Sequence, residues 1–184
     1  DSYSIGSNIY NISGTYTDTL VAMNGCDSIL TANLTVNNIY PSTFGGMLDT
    51  AGGGGFFSGN QHLELSCYEP SMLVSVVVYS SDTSWNTFEI RDDNGIVLYD
   101  ATHQVIPGGH RIYFNYEMTV GVAYELGVSG VSNNLYRNNS GVNYPYNFGS
   151  AASITSSSAG GNYYYFFYDI EMLIYPYNEV FICD

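Results

Sequence analysis

Short strand-like runs, separated by turn signals, are the feature that most constrains how this chain folds. Between residues 62 and 173, runs of β-branched and aromatic residues recur about every 8–12 residues, and clusters of Gly, Pro, Asp and Asn interrupt them. The runs are "HLELSC", "MLVSVVVYS", "WNTFEIR", "IVLYDATHQVI", "RIYFNYEMTV", "AYELGVSG", "SITSSS" and "YYYFFYDIEML". This spacing is typical of two-sheet folds, and no segment favours a helix. We therefore predict an all-β protein with a jelly-roll-like β-sandwich over residues 39–176.

The first 38 residues contain a further strand pattern, a β-hairpin. "GTYTDTLVAM" and "CDSILTANLTV" flank an Asn-Gly turn signal. In the second strand Cys26 and Leu30 share the apolar face, because side chains alternate along a strand. A two-residue turn would place this face opposite threonines rather than opposite Tyr16 and Leu20. We therefore expect a bulge or a longer loop.

This hairpin segment is too short to bury a core by itself, because domains below about 40 residues generally need a disulfide, a metal or a partner. At the other end of the chain, "EVFICD" alternates like a strand buried on both faces, yet no neighbouring segment pairs with it. We predict three parts: a partial β-domain at residues 1–38, the sandwich at 39–176, and a terminal strand at 177–184. The terminal strand would complete the partial domain of the same or an adjoining copy.

The chain contains three cysteines, Cys26, Cys67 and Cys183. In an acidic, lysine-free, tyrosine-rich chain they fit an extracellular setting. Because their number is odd, one cysteine stays unpaired or pairs outside the chain. A disulfide between Cys26 and Cys183 is favoured, because Cys26 lies on the apolar face of the hairpin and Cys183 on the strand that would complete it. For Cys67 we expect a buried thiol, with a cross-subunit disulfide as the alternative.

Four phrases near the start, "SYSIG", "SGTYTDTL", "NGCDSI" and "NLTVN", resemble the tandem immunoglobulin-like repeats of very large secreted surface adhesins of Bacteroidota. In that repeat a Cys-Asp or Cys-Glu pair comes just before the "SYSIG"-like strand, whereas here "ICD" stands at residues 182–184. Joining the end of one copy to the start of another restores the family order. The resemblance therefore implies an immunoglobulin-like domain made of residues 1–38 and the terminal strand. "LYRNNSGVNYPY" and "YYYFFYD" are more loosely similar to β-sandwich modules that accompany such repeats.

Together these observations predict a structural unit of an extracellular cell-surface fibre or adhesin, whose partners are copies of itself arranged head to tail. Three arrangements stay open: covalent tandem repeats, separate subunits joined by strand complementation, and closure within one chain. Between copies, the inserted strand would contain Val180, Phe181, Ile182 and Cys183, with Cys183 locked to Cys26.

The charge of the chain excludes several classes of partner. Seventeen acidic residues and three arginines give a formal net charge of −14, which repels phosphate backbones and anionic lipids. Because of this charge we do not expect nucleic-acid binding. No run of 18 apolar residues occurs, so we do not expect membrane insertion. Solubility explains the acidic excess, with calcium binding as the alternative. The phrase "RDDNG" at residues 91–95 lacks the ligand spacing of an EF-hand and predicts a hairpin turn.

No pattern in the sequence indicates catalysis or a cofactor. His62, His103 and His110 lack metal-ligand spacing, and we expect them at the surface or in turns. No nucleophile elbow, no cysteine with an evident base and no paired carboxylates stand out. We therefore predict that the protein is not an enzyme.

The aromatic residues favour an alternative function, a carbohydrate-binding module that mediates adhesion to glycans. The candidate contacts combine planar rings with amide and guanidinium donors: Tyr136, Arg137, Asn139, Tyr144 and Tyr146. The same side chains equally suit a self-packed surface loop in which Arg137 stacks on tyrosines. For "YYYFFY" at residues 163–168 we expect a strand buried between two layers, with exposed tyrosines that stack on sugars as the alternative.

Overall fold

The computed structural model describes residues 3–5, 8–21, 25–35, 40–130 and 132–175. Every described element of regular structure is a β-strand and every strand pairing is antiparallel, which confirms the predicted all-β class. Nowhere in this described part is there a helix with the length and apolarity needed to cross a bilayer. The chain divides into two compact units, Asp1–Ile39 and Tyr40–Asp184, called unit 1 and unit 2 below. The predicted jelly-roll-like and immunoglobulin-like topologies stay predictions.

Unit 1 contains two separate hairpins. Its described strands are β1 (Tyr3–Ile5), β2 (Asn8–Tyr10), β3 (Gly14–Leu20) and β4 (Ser28–Leu34). Strand β1 pairs with β2, and β3 pairs with β4. Leu20 lies opposite Ser28 and Tyr16 opposite Ala32, a register that a two-residue turn without a bulge would not produce. The apolar side of β4 therefore lies opposite Tyr16 and Leu20, and the choice between a bulge and a longer loop falls on residues 22–24, outside the described residues.

Unit 2 contains the remaining described strands. They are β5 (Ser42–Gly45), β6 (Gly54–Phe57), β7 (His62–Cys67), β8 (Ser71–Ser80), β9 (Ser84–Asp92), β10 (Val97–Val105), β11 (Gly108–Met118), β12 (Ala123–Val128), β13 (Leu135–Asn138), β14 (Tyr146–Phe148), β15 (Ala152–Ser157), β16 (Tyr164–Tyr165) and β17 (Tyr168–Ile174). They form two sheets. The six-stranded sheet has the order β10-β9-β12-β7-β15-β14. In the seven-stranded sheet β8 pairs with β11, β13 and β17, β5 pairs with β17, and β6 and β16 pair with β13.

Alternation along the strands decides which face each sheet buries. In β7, Leu63, Leu65 and Cys67 are at most 1% exposed, whereas His62 and Glu64 stand on the opposite face. Alternate apolar positions of the other long strands join the same core, so the two sheets form a β-sandwich. The polar positions between them form the outer faces, where a binding site can be built.

Aromatic rings join the two sheets across the core. Phe88 of β9 and Phe114 of β11 each contact Phe167, with ring centroids 6.1 and 6.5 Å apart and the rings edge to face. All three rings are at most 5% exposed. Burying a side chain of this size contributes about 1.5–3 kcal/mol, so these rings are a large part of what stabilises unit 2.

The "YYYFFY" segment is buried, but it is not one continuous strand. Residues 164–168 are at most 3% exposed, which confirms the expected burial of these five rings and leaves them no open face for a sugar, whereas the expectation of one strand is wrong. A three-residue turn separates β16 from β17: the Phe167 N–H donates to the Tyr165 carbonyl at 2.9 Å, and Phe166 takes a φ of 67°.

Four strands of unit 2 were not predicted. Strands β5 and β6 lie in a Pro- and Gly-rich segment. Strands β13 and β14 lie in a polar segment for which the sequence predicts one long loop. Strands β5, β6 and β13 pair with strands that are distant along the chain, and β14 has only three residues, too few to show alternation.

Candidate functional site

Arg137, the central residue of the predicted glycan-binding set, is packed among aromatic rings. Its Cζ lies 4.8 Å from the ring centroid of Tyr163, 5.2 Å from that of Phe57 and 5.9 Å from that of Tyr165. Its Nε and Nη1 are buried and have no hydrogen-bond partner. The ring faces hold the cation by their quadrupoles, and the two buried nitrogens are closed to solvent. These four residues are called the arginine–ring cluster.

Tyr144 and Tyr146 extend this packing. The Tyr144 hydroxyl donates to the Tyr163 carbonyl at 2.8 Å, and its ring stacks on Tyr164 with centroids 6.1 Å apart. Burial raises the pKa of Tyr144 well above its ordinary value. The Tyr146 hydroxyl accepts the Asn143 N–H at 2.9 Å, and its ring meets Tyr164 edge on at 5.2 Å. Both rings therefore make internal contacts that hold the segment to the sandwich.

The other two residues of the predicted set are held by β6 and the residue that precedes it. Tyr136 contacts Phe56 edge to face at 5.3 Å, and the Asn139 N–H donates to the Gly53 carbonyl at 3.2 Å, with the Asn139 side chain exposed. The structure thus brings Tyr144 and Tyr146 together beside Tyr164, whereas Tyr136 and Asn139 pack against other partners. Glycan binding by these residues stays a prediction.

A second cluster lies on the outer face of the six-stranded sheet and is built around Arg91. Its Nε donates to Glu89 Oε2 at 2.7 Å, and its Nη2 donates to Asn60 Oδ1 at 2.7 Å and to the Val128 carbonyl at 3.3 Å. Arg91 is only 6% exposed, and Glu89 9%. Paired burial of this kind is how a charged side chain is accommodated away from water.

Gly127 makes room for this guanidinium. It lies opposite Glu89 on the adjacent strand β12. A Cβ placed on Gly127 would stand 3.0 Å from Arg91 Cζ, closer than side chains normally approach. The absence of a side chain at this position therefore lets Arg91 lie across the sheet.

His62 and Glu125 complete the cluster. His62 Nε2 lies 3.3 Å from Glu125 Oε1, and Arg91 Nη1 lies 4.0 Å from Glu125 Oε2. His62 Nδ1 is buried without a hydrogen-bond partner. Burial lowers the pKa of His62, the carboxylate of Glu125 opposes this shift, and the cation of Arg91 adds to it. The imidazole is therefore neutral near pH 7.

These side chains surround an open cavity of about 410 Å³, called the charged cleft. Its polar lining consists of Asn60, His62, Glu89, Arg91, Glu125 and Ser129. No sequence pattern predicts this cleft, and His62, expected at the surface or in a turn, is the first residue of β7 and lines it. Its residues come from three strands and two loops, so no spacing along the chain signals it.

Two glutamates occupy paired positions on neighbouring strands beside the charged cleft. Glu64 of β7 lies directly opposite Glu125 of β12, and both line a second depression of about 370 Å³ together with Asp93. The sequence showed no paired carboxylates, because the two residues become neighbours only through strand pairing. The expectation that the protein is not an enzyme stays a prediction.

The "RDDNG" segment is a hairpin turn, as predicted. Asp92 Oδ1 accepts the N–H groups of Asn94 and Ile96, each at 2.9 Å, and Gly95 takes a φ of 77°. The hydrogen bond from the Ile96 N–H, with those from Asn94, lowers the pKa of Asp92. Among the residues the structure describes, no three His, Cys, Asp or Glu side chains converge as a metal site.

The other two histidines, His103 and His110, do not line the charged cleft. His110 Nε2 contacts the backbone of Ile106, accepting its N–H at 3.1 Å, and the His103 ring lies 6.3 Å from that of Phe88.

The cysteines of the described region take different environments. Cys67 is a buried free thiol that donates to the Glu69 carbonyl at 3.1 Å, which confirms the expectation for this residue. Cys26 is exposed. Cys183 and the predicted inserted-strand residues Val180, Phe181 and Ile182 lie outside the described residues, so the Cys26–Cys183 disulfide stays a prediction.

Comparison with known proteins finds no matching family model, no similar curated protein and no similar solved structure.

Proposed function

We propose that this chain is a structural unit of an extracellular cell-surface fibre or adhesin, in which an added β-strand completes unit 1. The supporting observation is the exposure of apolar side chains in unit 1. Among its residues whose side chains are described, none is buried. Four are large, apolar and at least 69% exposed: Ile9, Ile12, Val21 and Ile29. Side chains of this kind are normally removed from water by a second layer.

Physical chemistry limits what unit 1 can do by itself. An isolated two-stranded hairpin is marginally stable in water, and each open strand edge offers unpaired backbone donors and acceptors. A strand added to such an edge satisfies these groups, and each apolar side chain it helps to cover contributes about 1.5–3 kcal/mol.

The donor we propose is the segment 180–183 of another copy, where Phe181 and Cys183 alternate with Val180 and Ile182. Cys183 would be locked to Cys26 by a disulfide. The donor and acceptor surfaces differ, so each copy presents one of each and the contact repeats from copy to copy as long as the rotation between copies does not close a ring. Head-to-tail contacts of this kind grow filaments.

Non-reducing denaturing electrophoresis of protein produced under oxidising conditions tests this assembly. The wild type should form a ladder at multiples of 20.2 kDa that collapses to the single species on reduction. Cys26→Ser or Cys183→Ser should abolish the ladder. Cys67→Ala is the matched control and should keep it, because the Cys67 thiol is buried.

A lone 20.2 kDa species in both conditions, with Cys26 and Cys183 both reactive towards a thiol reagent, would contradict the proposal. The same species with both thiols protected until reduction would assign the bridge to one chain and remove the head-to-tail contact.

A further inference from the structure

The outer face of β9 carries a row of side chains that leads into the charged cleft. Its buried positions include Phe88 and Ile90, both fully buried, so the alternate residues Trp85, Glu89 and Arg91 point to the opposite face. Trp85 is 68% exposed and is the single tryptophan of the chain. The indole therefore offers a flat apolar face to solvent beside polar neighbours.

Polar side chains fill the space between Trp85 and the cleft. On β10, Gln104 lies opposite Trp85 and Asp100 lies opposite Glu89, and both are exposed. Between them the Thr87 and Thr102 hydroxyls meet at 2.8 Å. Trp85 and Glu89 are four residues apart, or about 13 Å along an extended strand. The row therefore offers one flat apolar face at one end and hydrogen-bonding groups along a length that suits a short oligosaccharide.

The charges of the cleft select the ligand class. The guanidinium of Arg91 already bonds Glu89, Asn60 and a backbone carbonyl. The carboxylates of Glu89 and Glu125 also line the cleft. Each already faces Arg91 or His62, but a carboxylate oxygen has a second lone pair that accepts a further hydrogen bond, and its negative charge repels anions. The formal net charge of −14 adds to this repulsion. Hydroxyl groups are neutral donors that carboxylates bind well, and a sugar ring has an apolar face that stacks on an indole.

We propose that this surface, from Trp85 to the charged cleft, binds a neutral oligosaccharide. Trp85 stacks on one sugar ring, and the carboxylates of Glu89 and Glu125 accept hydroxyl hydrogens of another. This assigns carbohydrate binding to a different face from the arginine–ring cluster, whose guanidinium nitrogens are partly closed to solvent. The inference does not depend on the proposed assembly through unit 1.

Fluorescence of the full chain tests the proposal directly, because Trp85 is the single indole and reports on this face alone. An array of neutral, sialylated, sulfated and chitosan-type oligosaccharides first identifies the probe. The strongest neutral probe is then titrated while Trp85 emission and calorimetric heat are followed. Saturable changes in both signals are expected.

Variants locate the site. Trp85→Ala should weaken binding, measured by calorimetry, by at least about tenfold, and Trp85→Phe should recover part of the loss. Glu125→Gln keeps the shape of the cleft but removes a strong acceptor, and should weaken binding about three- to tenfold. Tyr113→Ala is the matched control, since Tyr113 is also an exposed ring (56%) and lies on β11 of the other sheet. It should leave affinity unchanged, and unaltered thermal midpoints verify that the variants fold.

Three results would overturn the proposal. The first is no saturable binding of any neutral oligosaccharide, and the second is binding confined to sialylated, sulfated or chitosan-type probes. The third is affinity that survives Trp85→Ala and is lost on Tyr144→Ala, which would move the site to the tyrosines beside the arginine–ring cluster. None of these results affects the electrophoretic ladder, so failure of this inference and failure of the proposed assembly can be told apart.

Discussion

Unit 1 and unit 2 are both made of antiparallel strands, yet they differ in what those strands bury. Ile29 in β4 is 75% exposed, whereas Phe88 in β9 is fully buried. Both residues lie in well-paired strands, so backbone pairing alone does not produce a core. A hairpin satisfies peptide groups on one edge, and only a second sheet removes the side chains of one face from water. The comparison shows that unit 2 buries a core of its own, and the exposure in unit 1 is what supports the proposal that unit 1 accepts an added strand.

The largest expected effect is the difference in stability loss between substituting a core residue of unit 2 and substituting an exposed residue of unit 1. Phe88→Ala should lower the free energy of unfolding of unit 2 by about 3–5 kcal/mol, because it leaves a cavity between the sheets. Ile29→Ala in the unassembled chain should change the stability of unit 1 by less than about 0.5 kcal/mol. Hydrogen exchange followed by mass spectrometry measures both units in the same sample. A loss of about 2 kcal/mol or more for Ile29→Ala would remove the contrast.

An intermediate loss of stability is expected on substituting Gly127, which packs against Arg91 on the outer face of unit 2. Gly127→Ala should cost about 1–3 kcal/mol, because the new methyl group would push against the Arg91 guanidinium. Gly55→Ala is the control, since a Cβ at Gly55 meets nothing within 4 Å, and its cost should stay below about 0.5 kcal/mol. Urea denaturation followed by Trp85 fluorescence compares the two. Equal costs would show that Gly127 does not hold the cleft open.

The smallest expected effect is the pH dependence that His62 gives to unit 2. Burial places the folded-state pKa of His62 below 6.5, so the unfolded chain binds this proton more readily. Its contribution to stability is therefore fully present above about pH 6.5 and is lost as the pH falls below that value. Unit 1 contains no histidine, so its hydrogen exchange should not show this dependence beyond the intrinsic change in rate.

Urea denaturation at pH 7.5 and 5.5 checks this for the wild type and for His62→Gln. The wild type should lose more stability than the variant between the two values. An equal or larger loss in the variant would show that His62 is not the source of the pH dependence.

Sequence patterns predicted the strands whose side chains alternate clearly. "HLELSC" matches β7 residue for residue, and "MLVSVVVYS" falls one residue short of β8. These runs are long, apolar on alternate positions and bounded by turn residues. Strand β6, with the sequence GGFF, gives no such signal. It exists because the backbone of β13 is there to pair with it, and the close approach at Gly54 excludes a side chain.

The candidate sites, like the strands, differ in how far the sequence predicts them. Closeness along the chain predicts that Tyr144 and Tyr146 lie beside Arg137, whereas the rings that the structure places against its guanidinium are Phe57, Tyr163 and Tyr165. The charged cleft gave no sequence signal. Arg91, Glu125 and His62 belong to three neighbouring strands, and strand order is set by long-range pairing.

The sequence by itself determined that this chain forms strands, where the longer ones lie, and that its net charge is strongly negative. These properties depend on side-chain alternation, turn residues and total charge, all of which act locally or as sums. Only the tertiary structure decided that Arg91 lies between Glu89 and Glu125 over Gly127, and that Trp85 shares their face. Antiparallel pairing joins residues that are distant along the chain, and the order of the strands in a sheet depends on the packing of the whole sandwich.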